Sequence, residues 1–366
     1  MSATYDTIVI GAGQAGLGTG YHLRRTALRW TLLESHADAA GSWPHYYDSL
    51  KLFSPARFSE LPGFGFPGDP ERYPTRDEVV GYLRAYAAHF ELPVETDVCV
   101  ARVDTCDGGF CVRTADGETY QTRSVIAASG AFHKPFMPQL PGQQSFAGAI
   151  LHSSDYCNPA QFAGQRVIVV GGGNSAVQIA VELAEAAHTS IATRAPIKFR
   201  QQRILGKDIH WWWRVTQVDR WPQTLEIGYR SGLLVSGAVL DTGVYQAAIA
   251  AGKPDHRAMF TRFEPGGVLW ADGAYEPVDA VIFATGYQPN LDYLAALGAI
   301  DAGGQPRQRY GVSLVKPGLY FMGIEDQRSY ASATLRGVGP DAAYIVKHLQ
   351  QYLAADVDSR KSGVGA

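Results

Sequence analysis

The chain has 366 residues and a mass of 39.6 kDa, enough for about two domains at roughly 150 residues each. Apolar residues make up 46% and charged residues 18%, which supplies a core and excludes a disordered chain. Lysine and arginine total 32 against 35 acidic residues, a net charge of −3, so there is no overall basic footprint for nucleic acid or anionic lipid.

The N-terminus has no basic segment before its apolar run and carries Asp6, so it does not read as a signal peptide. Residues 7–10 are a short apolar strand, followed by Gly11-Ala-Gly13-Gln14-Ala15-Gly16 and a helical stretch to about Arg25. A second strand from about Trp30 ends at Glu34, which predicts the opening of a doubly wound α/β fold. Thr75-Arg-Asp-Glu78 is a capping box heading a helix whose apolar positions run from Val79 to Phe90. From Val98 to Ala127, β-rich runs broken at Asp107-Gly108-Gly109 and Asp116-Gly117 predict a small antiparallel meander. Its outlet, 125–130, returns to a parallel strand.

After a Pro/Gly-rich connector over 135–148 the opening pattern recurs. Residues 166–170 are a strand, Gly171-Gly172-Gly173-Asn174-Ser175-Ala176 is the turn, a helix follows to about Ala187, and the strand 190–193 ends at Arg194. Residues 197–232 read as irregular, basic and rich in tryptophan, and 233–251 as a buried helix. Residues 278–286 form another buried strand with a glycine exit, and a C-terminal helix is expected over about 340–354, with the last six residues frayed. No run of about 18 uncharged apolar residues predicts a membrane span. The four cysteines, Cys99, Cys106, Cys111 and Cys157, have no CxxC spacing and read as reduced thiols of a cytoplasmic protein.

Each glycine turn follows an apolar strand and opens a helix, the context a dinucleotide pyrophosphate requires. Gly11 to Glu34 and Gly171 to Arg194 are both 23 residues, which predicts that the two charged residues occupy equivalent places beside an adenosine ribose. A carboxylate there accepts from a ribose diol, whereas a guanidinium pairs with a 2′-phosphate. The economical assignment is FAD in the first unit and NADP(H) in the second, with Lys198 a second candidate for the phosphate. The alternative is one nucleotide site and a decayed duplicate. The fold class is thus α/β, with two Rossmann-like units and a small antiparallel meander. The FAD-binding domain is expected over 1–157 and 278–366, with the NADPH-binding domain over 158–277 inserted between.

Between the units, Phe146-Ala-Gly148-Ala-Ile-Leu-His152-Ser-Ser-Asp-Tyr156 resembles the FxGxxxHxxxY/F fingerprint of class B flavin-containing monooxygenases. Gly41-Ser42-Trp43 is similar to the family's GxW along the FAD, Ala284-Thr285-Gly286 to its ATG motif, and Ala128-Ser129-Gly130 to a weaker version. The resemblance covers nearly the whole chain and is nearest to the short bacterial branch. It implies cofactor contacts at Gln14, Ala15, Val100, Asn174, Ser175 and Gln178 as well as at these motifs. It also implies that NADPH reduces the flavin, that O₂ adds at flavin C4a, and that a small soft nucleophile, sulfur or amine nitrogen, is oxygenated.

No side chain need act as a nucleophile. Phe53 stands where the family often has Asn and is a pocket candidate; Asp326 precedes a segment, 331–334, expected to approach the flavin. His152 reads either as an acid/base group or as a structural hydrogen bonder. His210 and Trp211 to Trp213 line a channel, form a subunit contact or pack. Arg200, Arg203 and Lys207 support the phosphate or form a solvated face. Baeyer–Villiger oxygenation of ketones, electron transfer to a partner protein and a non-catalytic flavin sensor remain as rivals. The expected partners are a small-molecule substrate and O₂, with neither nucleic acid, metal nor membrane, and a homodimer is allowed.

Overall fold

The computed structural model describes residues 4–219 and 237–363, with side chains to residue 356. Strand β1 (Thr7–Ile10) leads through the first glycine turn into helix α1 (Gln14–Leu23) and strand β2 (Trp30–Leu33). Helix α2 (Arg76–His89) starts at the expected capping box, in which Thr75 and Glu78 bond each other's backbone reciprocally. Strands β3 (Val100–Cys106), β4 (Gly109–Thr114) and β5 (Thr119–Thr122) form the antiparallel meander, and Thr4–Tyr5 adds a parallel edge to β5. Strand β6 (Val125–Ala127) returns beside β1.

The first large sheet has seven strands. Strand β12 (Leu319–Phe321), β6, β1, β2 and Val94–Glu95 run parallel, and two short antiparallel strands from 308–313 extend it beyond β12. Alternate residues of β1 enter different cores. Val9 packs with α1, α2 and the C-terminal helix α6 (Leu335–Gly363), while Ile8 and Ile10 pack with the meander. A strand buried on both faces is why this segment reads as continuously apolar rather than alternating.

The second sheet has five parallel strands in the order β7 (Ala149–His152), β11 (Ala280–Phe283), β8 (Arg166–Val170), β9 (His188–Thr193) and β10 (Asp255–Ala258). Helix α3 (Asn174–Leu183) lies on it, burying Ala176, Val177, Ile179, Ala180 and Leu183. Strands β7 and β11 lie outside the expected 158–277. They pair in parallel with each other, and β11 pairs with β8, so the chain flanking 158–277 supplies two of the five strands.

Four other expectations are corrected. The stretch 233–251 lies partly outside the described residues. Its described part is a strand, Val239–Asp241, and a helix α5 (Val244–Ala250) with no buried residue. Gly243 at φ 104° breaks the run, and the Asp241 carboxylate caps α5 by accepting from the Tyr245 and Gln246 N–H groups at 3.1 and 2.8 Å. Within 197–232, whose residues 220–232 lie outside the described set, Ile209–Thr216 is a helix, α4, N-capped by Asp208. The C-terminal helix begins five residues before Pro340 and includes 361–363 of the segment expected to fray. The reduced-thiol reading fails for one pair: Cys106 and Cys111 face each other across the β3–β4 hairpin as a disulfide, with Cys99 and Cys157 free and exposed.

Candidate active site: two dinucleotide cradles and the seam between them

Both cradles sit at the carboxyl ends of their parallel strands, where α/β folds bind nucleotides. In the first, Gly11 has φ 103°, and a Cβ there would lie 2.6 Å from the Ala128 carbonyl oxygen. A Cβ on Gly16 would collide with the Gly11 carbonyl oxygen, so the turn closes only with glycine at both places. Gly13 caps α1 with no side-chain bond and no acid in the first turn, leaving the helix N–H groups for an anion. Gly41 faces Gly13 so closely that its Cβ would be 2.8 Å from the Gly13 Cα.

Glu34 ends β2 and is only 3% exposed. Its carboxylate accepts from Ala12 N at 2.6 Å, from His36 N at 3.1 Å and from His36 Nδ1 at 2.8 Å. Burial without these donors would be costly, so the turn and the carboxylate fix each other. The Gln14 amide donates to the Ala333 carbonyl and accepts from Trp43 Nε1 at 3.0 Å. One side chain thus draws the 41–43 loop and the 331–334 segment around the start of α1. Ser42 bonds Tyr46 at 3.2 Å, Ala15 is buried against Gly323, and Val100 begins β3 just after Val98, whose N–H bonds the Glu34 carbonyl.

The second cradle repeats the construction. Gly171 has φ 143° and a Cβ there would meet the Ala284 carbonyl oxygen, while a Cβ on Gly173 meets nothing within 4 Å. Helix α3 starts with no side-chain cap and no acid in its first turn. Asn174 Oδ1 accepts from Leu240 N, and Gln178 Oε1 accepts from the Tyr47 hydroxyl at 2.7 Å, so both tie α3 to neighbouring segments. Ser175 is exposed beside them at the start of α3. Both cradles fit a dinucleotide, since each has a glycine surface that a side chain would fill and a helix start left open.

The equal spacing does not place Glu34 and Arg194 equivalently. Gly11 N bonds the Leu33 carbonyl and Gly171 N bonds the Ala192 carbonyl. Strands β1 and β2 pair at an offset of 23 residues, but β8 and β9 at 22. Thr193 therefore stands in the register of Glu34, its hydroxyl 2.8 Å from His256 Nε2, and Arg194 is one residue further out. Arg194 and Lys198 are exposed, and their side chains make no hydrogen bond or ion pair with described residues. The second cradle thus lacks the carboxylate that would repel a 2′-phosphate and keeps two free cations at its rim.

The fingerprint residues lie along the seam between the two units. Phe146 and Gly148 precede β7 at the amino ends of the strands, about 13 Å from the cradle at ~3.3 Å per residue. Phe146 packs on Phe263, and a Cβ on Gly148 would strike Phe146 and, at 2.5 Å, the Asp279 carbonyl oxygen. Tyr156 is fully buried against Tyr47 and Phe162, its hydroxyl donating to Glu182 at 2.9 Å, so no face remains for a ligand. Among the described residues, Phe146, Gly148 and Tyr156 make packing contacts within the protein.

His152 accepts from Ser154 N at Nδ1, which puts its proton on Nε2, 3.0 Å from the Gly286 carbonyl. Burial holds its pKa below the usual histidine value, against the pull of that carbonyl toward the charged form. Both ring nitrogens are thus engaged, and the imidazole ties β7 to the Gly286 turn. Gly286 O also accepts from Phe136 N, the Thr285 hydroxyl donates to the Phe136 carbonyl, and Lys134–Pro135 pairs with Tyr287–Gln288. The two passages between the units are therefore zipped together. Ser129 donates to the Asn290 carbonyl at 2.7 Å, beside Gly130 at φ 75°.

Phe53 is 39% exposed and Asp326 is exposed in a left-handed conformation, φ 53°. Sequence reasoning named His210 but missed the acidic pair that stands with it behind Phe53. Asp208, His210 and Asp219 are buried, and Arg336 donates to Asp219 at 2.6 Å. Asp219 O also accepts from Ala331 N, so the 199–219 segment is bonded to the same 331–334 loop that Gln14 holds. The signal in the sequence was Asp208 ahead of an apolar helical run, an N-cap preceded by the Arg203 to Lys207 turn.

A model of the pyridine nucleotide-disulphide oxidoreductase family matches residues 8–208. The chain is 36% identical to the oxidoreductase CzcO of Bacillus subtilis over 94% of this chain and 99% of that one. It is 30% identical to the indole-3-pyruvate monooxygenase YUCCA1 of Oryza sativa subsp. japonica, over 93% and 90%. A flavin-containing monooxygenase structure from Stenotrophomonas maltophilia superposes with a TM-score of 0.83 at 34% identity, covering 96% of this chain and 99% of that one. The FAD and NADP(H) assignment agrees with these relatives and with the fit of both cradles. No helix among the described residues is long and apolar enough to cross a membrane. The chain belongs to the pyridine nucleotide-disulphide oxidoreductase family and, within it, to the class B flavin-containing monooxygenases.

Proposed function

We propose that this flavin monooxygenase takes hydride from NADPH and transfers one oxygen atom of O₂ to a small soft nucleophile, sulfur or amine nitrogen. The carrying observation is the pair of cradles with unlike rims, Glu34 buried in one and Arg194 with Lys198 free at the other. FAD, when bound, supplies the hydride-accepting and oxygen-activating chemistry. The chain's own residues bind and enclose. The α1 start and Glu34 hold the first nucleotide, and Gln14 closes two loops over it. Arg194 and Lys198 hold the second nucleotide's phosphate, and the zipped linkers keep the two cradles facing across a seam from which water is excluded.

The cysteines support oxygen over a disulfide as electron acceptor. Cys106 and Cys111 sit at the hairpin end of β3, about 20 Å along the strand from Val100 at ~3.3 Å per residue, and Val100 is the end near Glu34. No dithiol adjoins the first cradle among the described residues.

The test is product analysis with isotopically labelled O₂, NADPH and the purified holoprotein, offering methyl phenyl sulfide and cyclohexanone separately. Labelled sulfoxide with little lactone is the expected outcome. Lactone as the main product overturns the nucleophile assignment, and NADPH oxidation yielding hydrogen peroxide with neither product overturns oxygen transfer.

A further inference from the structure

Behind Phe53 lies a buried acceptor with nothing to accept. His210 is 1% exposed and caps no backbone with its ring. Its Nδ1 lies 2.7 Å from Asp208 Oδ1, which also accepts from His210 N at 2.9 Å, while Asp208 Oδ2 accepts from the Tyr73 hydroxyl at 2.7 Å. This carboxylate fixes the proton on Nδ1 and leaves Nε2 as a bare lone pair. Nε2 is buried and has no hydrogen-bond partner among the described residues. A second acceptor of the same cluster, Asp219 Oδ1, is likewise buried and unpartnered among the described residues, although Arg336 bonds the other oxygen. Burial drives the His210 pKa down to about 4, against the Asp208 hydrogen bond, so the imidazole stays neutral and Nε2 stays an acceptor at neutral pH.

An unmade buried hydrogen bond is costly, and native chains rarely keep one without a use. Three rings pack on the imidazole: Phe53 and Phe58 near-parallel at 6.4 and 6.1 Å, and Trp213 edge-on at 4.8 Å. Phe58 and Trp213 are each 5% exposed, whereas Phe53 is 39% exposed. Phe53 is therefore the ring of the three that solvent reaches. Its carbonyl accepts from Gln202 Nε2 at 2.6 Å, which anchors the backbone and leaves the ring to turn.

We infer that His210 is a substrate-binding residue: its Nε2 accepts a hydrogen bond from an O–H or N–H donor on a flat, apolar substrate that displaces the Phe53 ring. The inference rests on the small-molecule oxygenation proposed above, but it concerns binding and is tested without turnover.

The test uses the oxidised holoenzyme and two thioether probes of one shape, 4-(methylthio)phenol, which carries a donor, and 4-(methylthio)anisole, which does not. Calorimetric titration should show wild type binding the phenol about tenfold more tightly. His210→Phe should bind the two alike, and His210→Gln, which restores an acceptor, should recover part of the preference. Equal binding of the probes by wild type, or an undiminished preference in His210→Phe, overturns the inference. Should His210→Phe fail to fold, ethoxycarbonylation by diethyl pyrocarbonate, mapped by mass spectrometry, decides. Phe53→Ala should raise the rate at His210 at least tenfold, and the phenol probe should protect it; an unchanged rate or no protection overturns the inference. Failure of the oxygenation reading appears separately, as probe binding with a donor preference but no labelled sulfoxide.

Discussion

The two nucleotide cradles are built alike and finished differently. In the first, the turn is locked from within: Ala12 N and the His36 ring hold Glu34, Gly41 abuts Gly13, and Gln14 draws two distant loops around the helix start. In the second, a Cβ on Gly173 would meet nothing, and the Arg194 and Lys198 side chains stand exposed without partners among the described residues. An enclosed cradle retains its nucleotide, whereas an open one exchanges it, which suits a resident FAD and a visiting NADP(H). The same motif thus serves two kinetic roles through what surrounds it.

The harshest way to break this comparison is to crowd the locked turn. Gly16→Val would drive its side chain into the Gly11 carbonyl, and we expect a loss of about 3 kcal/mol or more with FAD released on purification, read by flavin content and melting temperature. A retained flavin and an unchanged melting temperature would refute the locked-turn account.

Acid tests the seam. The pKa values of His152 and His210 both lie below the unfolded value of about 6.5, so the unfolded chain binds more protons. The stability they contribute is complete above about pH 6.5 and is lost as pH falls through their folded values. For His210, at about 4, the loss by that pH is on the order of 3 kcal/mol, and His210→Gln should flatten the melting-temperature profile between pH 6.5 and 4.

The rims separate the cofactors. Arg194→Ala should weaken use of NADPH by ~1.5–3 kcal/mol in kcat/KM and leave NADH nearly unaffected. Equal effects would break the phosphate assignment. Thr193→Glu sharpens the register argument by placing a carboxylate at the counterpart of Glu34, which should turn preference toward NADH even with Arg194 intact. The smallest effect is expected from Gly173→Ala: the melting temperature should stay within about a degree, because ~0.5 kcal/mol or less is at stake, while the KM for NADPH rises a few-fold.

Much of the fold was legible because strand–glycine–helix turns are local and their geometry demands glycine. The capping box at Thr75 and the meander turns are local in the same sense. The fingerprint was legible as a pattern but not as a role. Whether Phe146, Gly148 and Tyr156 face a cofactor or a core depends on which end of a sheet they reach, and that is set by strands far away in sequence. The buried 233–251 helix failed because composition cannot reveal that Asp241 caps a short exposed helix instead of interrupting a long one.

Residue order alone determined that this chain carries two nucleotide-gripping turns with an acidic and a basic neighbour, since a pyrophosphate needs bare backbone N–H groups and only short, glycine-bearing turns provide them. The tertiary structure decided where those neighbours stand. A difference of one residue in strand offset puts Thr193, not Arg194, opposite Glu34, because pairing between strands is chosen by the packing of both faces and not by the count of residues in between. It also brought Phe53, Asp208 and His210 together from segments some 150 residues apart in the chain, a contact that only a folded core can make.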